Sequence, residues 1–339
     1  MNELLHQTLS GLATGGIYAS VALALVMIYQ ATHHINFAQG EMAMFSTFLA
    51  WMLLDAGLPY WGAFALTVVL SFVLAAAIEF AVIRPMHSAP ELSVVVVFIG
   101  LLVIFHSLAG WLFGYTIKTF PSPFPAGAWY GSQLMSAHEV GAIFVALVMV
   151  ALLFSFFRFT PLGLAMRAAA QNANSSRLVG ISVGRMLMLG WGLAGAIGAV
   201  AGMMVAPVVF LDPNMMTGVL LYAFAGALIG GIDNPVGAVL GGFIVGVLEN
   251  LMGSYVVGTE LKLSVALVLI VGVLIVRPSG LLGKKIVLDN KVDPTLLGGF
   301  VAKVGNYQEC LVFSLTPDRP SHRPVHLGRH AGPGPRPAP

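Results

Sequence analysis

Few side chains in this sequence can do acid–base or hydrogen-bonding chemistry. The hexapeptide NFAQGE, Asn36 to Glu41, places two amides and a carboxylate within six positions between two apolar stretches. If buried, such a set can hydrogen-bond a polar solute, and a carboxylate kept in apolar surroundings marks a function by default. The alternative is an interfacial loop in which Glu41 is solvated or caps the next helix, where the helix dipole favours it. His106 and Glu249 also lie deep in apolar sequence, each able to pair with a neighbouring helix or line a cavity. Glu79 sits near an arginine, Arg84, at a boundary where it is expected to reach lipid head groups.

Other chemistries are excluded by spacing. His33 and His34 are adjacent, so on a regular element they point apart and cannot share a metal. His322, His326 and His330 recur every four positions, but Pro324 and Gly328 break the helix that would align them. With Cys310 as the one cysteine, neither a disulfide nor a cysteine metal site can form within the chain. A phosphate-binding loop needs G-x-x-x-x-G-K-[ST]; the nearest approach, GLLGKK at 280–285, is too short and ends in Lys285 where a hydroxyl should be. No metal, cofactor or nucleotide is expected on this chain, which is not read as an enzyme.

The elements that position these residues are membrane helices. Of the 339 residues, 58% are hydrophobic and 9% charged, against roughly 25% charged in a soluble domain. The formal net charge of +2 is too small to imply nucleic acid. No Lys or Arg precedes the first apolar run, so that run is expected to be a retained span and not a cleaved signal peptide. Stretches approaching the ~20 apolar residues that cross a bilayer occur at about 10–30, 38–54, 62–83, 92–113, 141–157, 186–206, 218–231, 236–252 and 262–276. GIDNPVG splits the pair at 218–252, which could form one broken or re-entrant unit. The fold class expected is therefore all-α, a polytopic membrane bundle of about eight or nine segments.

Charge gives the topology. Before residue 283 the basic residues are Arg84, Lys118, Arg158, Arg167, Arg177, Arg185, Lys262 and Arg277. Short cytoplasmic loops hold the Lys/Arg excess, so 158–185, Arg84 and the stretch from Arg277 are expected inside, and 114–140, with Trp129 and Tyr130, outside. Nine crossings would put the N-terminus outside, eight inside. Gly198 and Gly202, Gly226 and Gly230, Gly237 and Gly241, and Gly242 and Gly246 have the small-xxx-small spacing of close helix packing.

The stretch TPLGLAMRAAAQNANSSRLVGIS, 160–182, interrupts the apolar sequence. Thr160 is an expected N-cap and Pro161 suits the first turn. A helix over 161–171 would be about 16 Å long at ~1.5 Å per residue, too short to span. Leu162, Ala165, Met166 and Ala169 form an apolar stripe; Gly163, Arg167 and Gln171 face the other way, with Leu164 among them. An apolar residue on the polar face leaves two readings open: a helix lying on the inner leaflet, or one that docks Leu164 and Arg167 into a groove on a partner.

Here the sequence resembles a known family. GLAMRAAAQNANSSRLVGI resembles the cytoplasmic coupling loop of branched-chain amino-acid ABC importer permeases, specifically the H-type (LivH-like) subunit. So do residues 11–48, GGIDNPVGAVLGGFIVGVLEN at 230–250 and VLIVRPSGLLG at 273–283, so the resemblance covers about 1–283. It implies a permease domain over 1–283 in the bacterial inner membrane, with its C-terminus cytoplasmic. The substrate implied is leucine, isoleucine or valine, and ATP is hydrolysed by separate subunits. The partners implied are a second, M-type permease, two cytoplasmic ATPases, a periplasmic amino-acid binding protein and membrane lipid. It places Gly163, Arg167, Ala168, Gln171, Asn172 and Gly180 in the ATPase-coupling region, which Leu164 and Arg177 of the same stretch join as candidates, and it raises interest in Asn36, Gln39 and Glu41, which with Glu249 are the candidates for a translocation path. At 173–176 the sequence has ANSS where the family commonly has an acidic residue. The alternative class is a secondary transporter or channel for a small polar solute, which would call for more buried ionisable groups than this chain has.

After Gly283 the character changes. Residues 287–305 are similar to the C-terminal region of the ATP synthase delta subunit, and the Pro-, Arg- and His-rich end reads as disorder. The stretch 284–339 is thus expected to be an atypical tail or a fusion artefact.

Overall fold

The structure, a computed structural model, describes residues 2–283 except 33, 87–88, 126–135, 259–260 and 278, together with 299–304 and 307–312 of the tail. The chain divides into two compact units, 1–284 and 285–339.

The first unit is helical. Its elements are α1 (Asn2–Thr32), α2 (Gln39–Asp55), α3 (Tyr60–Ile78, continued by a π-turn Glu79–Ile83), α4 (Glu91–Phe113) and α5 (Ala137–Phe159). Then follow the short α6 (Pro161–Gln171) and α7 (Ala173–Leu178), and α8 (Val183–Val209), α9 (Met215–Gly230), α10 (Pro235–Tyr255) and α11 (Lys262–Val276). Each of the nine apolar stretches read from the sequence is a helix. Among the described residues, six are long and apolar enough to cross a membrane: those beginning at Glu3, Tyr60, Leu92, Ala137, Val183 and Pro235. In the second unit Gly299–Val304 (β1) pairs antiparallel with Tyr307–Val312 (β2), from Gly299 opposite Val312 to Val304 opposite Tyr307. Val, Phe and Tyr in these two runs favour extended backbone; the Pro-, Arg- and His-rich end read as disorder lies outside the described residues. The ATP synthase-like stretch, apart from 299–304, and the three tail histidines lie outside the described residues.

Backbone contact holds the centre. A Cβ added to Gly246 would collide with Gly15, one at Gly242 would come within 2.5 Å of Ala19 Cα, and one at Gly226 within 2.7 Å of Gly242 Cα. Helices α1 and α9 therefore both lie against α10 with no side chain between them, and dispersion at this range drives association in lipid. The same facts correct one expectation. The 218–252 segment is not one broken unit; α9 and α10 are separate antiparallel helices, turned at Gly231, whose φ of +107° favours glycine.

Two sets of contacts define the ends of the bundle. At one end Arg84 Nη2 donates to Gly184 O, Gln30 Nε2 donates to Asp233 O, and Leu281 N donates to Ile229 O. At the other, Ser10 bonds Glu139, Asn250 bonds Gln7, and Lys118 forms a bridge with Leu211. Because α5 runs parallel to α1, with Gly16 beside Ala146, its last turn and α6 lie at the first end. Arg84, Arg158, Arg167, Arg177, Arg185 and Arg277 thus share the first end, and Lys118 and Lys262 belong to the second.

Helix α2 departs from this end-to-end pattern. Gln39 Nε2 donates to Ala194 O at 3.0 Å. From Val183, the start of α8, to Ala194 is eleven residues, or roughly 17 Å at ~1.5 Å per residue. The chain leaves α1 at the basic end, turns back through 34–38 and begins α2 inside the bundle.

Candidate functional site

Helix α6 starts as its sequence requires: Thr160 Oγ1 accepts from Gly163 N at 3.0 Å, and Pro161 occupies the first turn. Its orientation differs from expectation. Gly163, Met166 and Ala169 are buried, while Leu162 is 49% exposed. A Cβ on Gly163 would collide with Phe156 O and come within 2.6 Å of Phe157 Cα. The glycine lets α6 fold back onto the last turn of α5, which rotates the buried face away from the hydropathy stripe. Gly163 is therefore a packing residue and not part of the outward face.

The remaining coupling-region residues face outward or partly so. Leu164 is 61% exposed, Arg167, Gln171, Asn172, Arg177 and Gly180 are exposed, and Ala168 is half-buried. Asn172 does not simply end a helix: it closes α6 and caps α7, its Oδ1 accepting from Ser175 N at 2.9 Å. The ANSS stretch is the first turn of α7, with Ser176 buried beneath it. Gly180 turns the chain at φ +85° with no atom near its Cβ position.

Sequence reasoning missed Leu178 and Val179, which are 89% and 76% exposed. Helical periodicity does not flag a pair of adjacent apolar residues. Their signal was the arginine before them and the turn glycine after. With Leu164, Arg167 and Arg177 they give the basic end an apolar surface rimmed by cations, which suits a partner with an apolar groove and acidic rim.

Asn36 and Ala38 to Glu41 are buried while Phe37 is exposed, so Glu41 is not solvated in a loop; it lies in the first turn of α2. Asn36 Oδ1 accepts from Ala38 N at 3.0 Å, and its Nδ2 lies 3.8 Å from Met42 Sδ. The side chains diverge. Gln39 reaches Ala194 of α8, Gly40 faces Leu220 of α9, and Glu41 Oε2 lies 3.4 Å from His106 Nδ1 of α4. Gln39 Oε1 is buried with no hydrogen-bond partner, and the polar neighbour of Glu41 Oε2 is the His106 ring.

Glu249 belongs to another group. Tyr18 OH donates to its Oε2 at 3.1 Å and Lys262 Nζ lies 3.3 Å from its Oε1, with Tyr18 stacked on Tyr222 at 4.9 Å. This set ties α1, α9, α10 and α11 together, and the structure does not merge it with the residues around Glu41. Glu79 does not reach head groups: it is fully buried and pairs with Arg84 at 3.0 Å, joining the end of α3 to the start of α8 through Gly184. His33, Trp129 and Tyr130 lie outside the described residues.

Residues 7–274 match the family model described as branched-chain amino acid transport system / permease component. The chain is 30% identical over 297 residues to the high-affinity branched-chain amino acid transport system permease protein LivH of Escherichia coli, covering 83% of this chain and 96% of that protein. It is 29% identical over 302 residues to the corresponding permease protein BraD of Pseudomonas aeruginosa, covering 84% and 98%. A probable branched-chain amino acid transport permease protein of Methanocaldococcus jannaschii is 26% identical, covering 78% and 87%. Among solved structures, a chain of PsaBC from Streptococcus pneumoniae in complex with Fab gives a TM-score of 0.46 at 12% identity, covering 80% of this chain and 91% of that one.

Proposed function

Since the chain belongs to the family of permease components of branched-chain amino acid transport systems, we propose that it is one of two unlike permeases of an ABC importer for leucine, isoleucine and valine. Two cytoplasmic ATPases supply the driving force, an external binding protein delivers the amino acid, and this chain binds no cofactor of its own. The observation that carries the mechanism is the apolar, arginine-rimmed surface of α6 and α7 at the basic end. Six of the eight basic residues before residue 283 share that end, so the positive-inside rule sets it in the cytoplasm of a bacterial inner membrane. The N-terminus is then outside, the stretch after Arg277 inside, and the nine apolar helices all count as membrane segments, with α2 entered from the re-entrant 34–38. Closure of the ATPases is transmitted through α6 to the bundle, and Asn36, Gln39 and Glu41 line or gate the path opened within it, while Glu249 braces the outer half.

The test is leucine uptake in vesicles containing the assembled transporter. Leu164→Asp and Arg167→Glu are expected to abolish ATP-driven uptake while the chain stays folded and inserted. Unchanged uptake in both variants would sink the docking assignment. Leucine flux through the purified chain alone, without ATPases, would instead favour an independent carrier.

A further inference from the structure

Two of the sequence motifs, GGIDNPVG at 230–237 and PSGLLG at 278–283, meet in space. The last carbonyls of a helix have no donor within it, and α9 receives its donors from this later segment. Leu281 N donates to Ile229 O at 2.7 Å, and Leu282 N donates to Gly230 O at 3.0 Å. The approach is close enough to demand glycine on both sides. A Cβ on Gly231 would lie 2.5 Å from Gly283 N, and one on Gly280, at φ +71°, 2.5 Å from Leu228 O. Asn234 joins the two parts: its Oδ1 accepts from Val236 N and Gly237 N to cap α10, and its Nδ2 donates to Leu282 O at 3.2 Å. Gln30, at the end of α1, donates to the Asp233 carbonyl of the same turn at 2.8 Å.

We propose that residues 279–283 are a clasp that positions α9 for transport, fixing its basic end so that its other half holds the first turn of α2 in place. The lever is short and continuous. From Gly230 back to Leu220 is ten residues, about 15 Å of helix, and Leu220 is the residue packed over Gly40, 3.2 Å from a Cβ built there. Gly40 lies between Gln39 and Glu41, so a shift of the clasp moves α9 against the buried polar turn. α9 is pinned at the end where α6 also meets α1, which puts the clasp where motion arriving at that end enters the bundle. Asn234 and Leu281 are positioning residues in this scheme. The inference rests on the proposed reading of the chain as an ABC importer permease and is independent of whether α6 is the helix that docks an ATPase.

The experiment uses the full chain in its assembled transporter, under conditions where the wild type takes up radiolabelled leucine. Asn234→Asp and Asn234→Ser keep an oxygen to cap α10; Asp has no donor for Leu282 O, and the shorter Ser hydroxyl does not reach it from the capping position; Leu281→Pro removes the N–H to Ile229, and Leu281→Ala keeps it. Maximal leucine uptake per ATP hydrolysed is expected to fall by about threefold or more in both Asn234 variants, with KM and melting temperature unchanged. Leu281→Ala should match the wild type and Leu281→Pro should show the larger fall. Wild-type uptake per ATP in the Asn234 variants overturns the proposal, whatever Leu281→Pro does. So does a loss that merely tracks the amount of folded protein, or one that appears in KM alone.

Discussion

Where α10 crosses α1 and α9, Gly226, Gly242 and Gly246 bring backbones together; where α6 lies on the basic end, Gly163 alone does so, helped by Met166 and Ala169. In the first region most of α1 and α9 and one full face of α10 are committed to packing, and in the second most of the helix is left outward. The contrast separates two tasks. A helix held on several sides passes a displacement on without deforming, since packed interiors transmit strain. A helix held by one strip and two caps keeps its other faces free for a partner. Substitutions should therefore act on the fold at the core and on function alone at the surface.

The largest effect is expected at Gly242, where a side chain has nowhere to go. Gly242→Leu forces α10 off α1 at Ala19, and overpacking of this kind costs about 3 kcal/mol. The purified chain should lose much of its thermal transition in detergent. Gly272→Leu is the matching control: nothing lies within 4 Å of a Cβ there, and the gain in helix propensity is worth up to about 1 kcal/mol. Equal melting temperatures for the two variants would erase the distinction between core and periphery.

Next comes the Glu249 group. Glu249→Ala strands Lys262 and removes the acceptor of Tyr18 OH. Breaking a fully buried pair costs about 3–5 kcal/mol, and because the Lys262 side chain is 25% exposed the expectation is nearer 2 kcal/mol. Pairing Glu249→Ala with Lys262→Met should recover part of the loss. Smaller again is Thr160→Ala, which removes the cap bond to Gly163 N and should cost about 1 kcal/mol, read as faster hydrogen exchange confined to α6. An effect spread over α1 and α10 would mean that α6 is more deeply bound into the core than its buried strip implies.

Hydropathy was enough to locate the nine apolar helices, because each needs a run of apolar residues long enough to be seen without knowing its neighbours. The Thr160 cap and the outward Leu164 were legible for the same local reason. What failed to show was set by partners distant in sequence. The buried face of α6 turned on the fit of Gly163 to Phe156 and Phe157, a contact that carries no hydrophobic signal. Gln39 and Glu41, two positions apart, looked like one site; on a helix that spacing sends them about 200° apart, and they serve α8 and α4. The meeting of Leu281 and Leu282 with the end of α9 is made by backbone groups, which side-chain patterns do not record.

The smallest effect on stability is expected at Leu178, and there the comparison is sharpest. With 89% of its surface exposed, Leu178 loses almost no packing on becoming Asp. Leu178→Asp should therefore change melting temperature by no more than a surface substitution does, within about 0.5 kcal/mol. The same change puts a carboxylate between Arg177 and Val179, in the apolar part of the surface proposed to dock the ATPases. Burying it in an apolar, acidic-rimmed groove would cost about 1 kcal/mol or more even with Arg177 beside it, so the ATPases should no longer co-purify and uptake should fall with them. Retention of the ATPases at wild-type level would move the docking surface off α7 and leave it to α6. If melting fell as far as in Gly242→Leu, Leu178 would belong with the packed core, and the free outward face inferred for this region would be wrong.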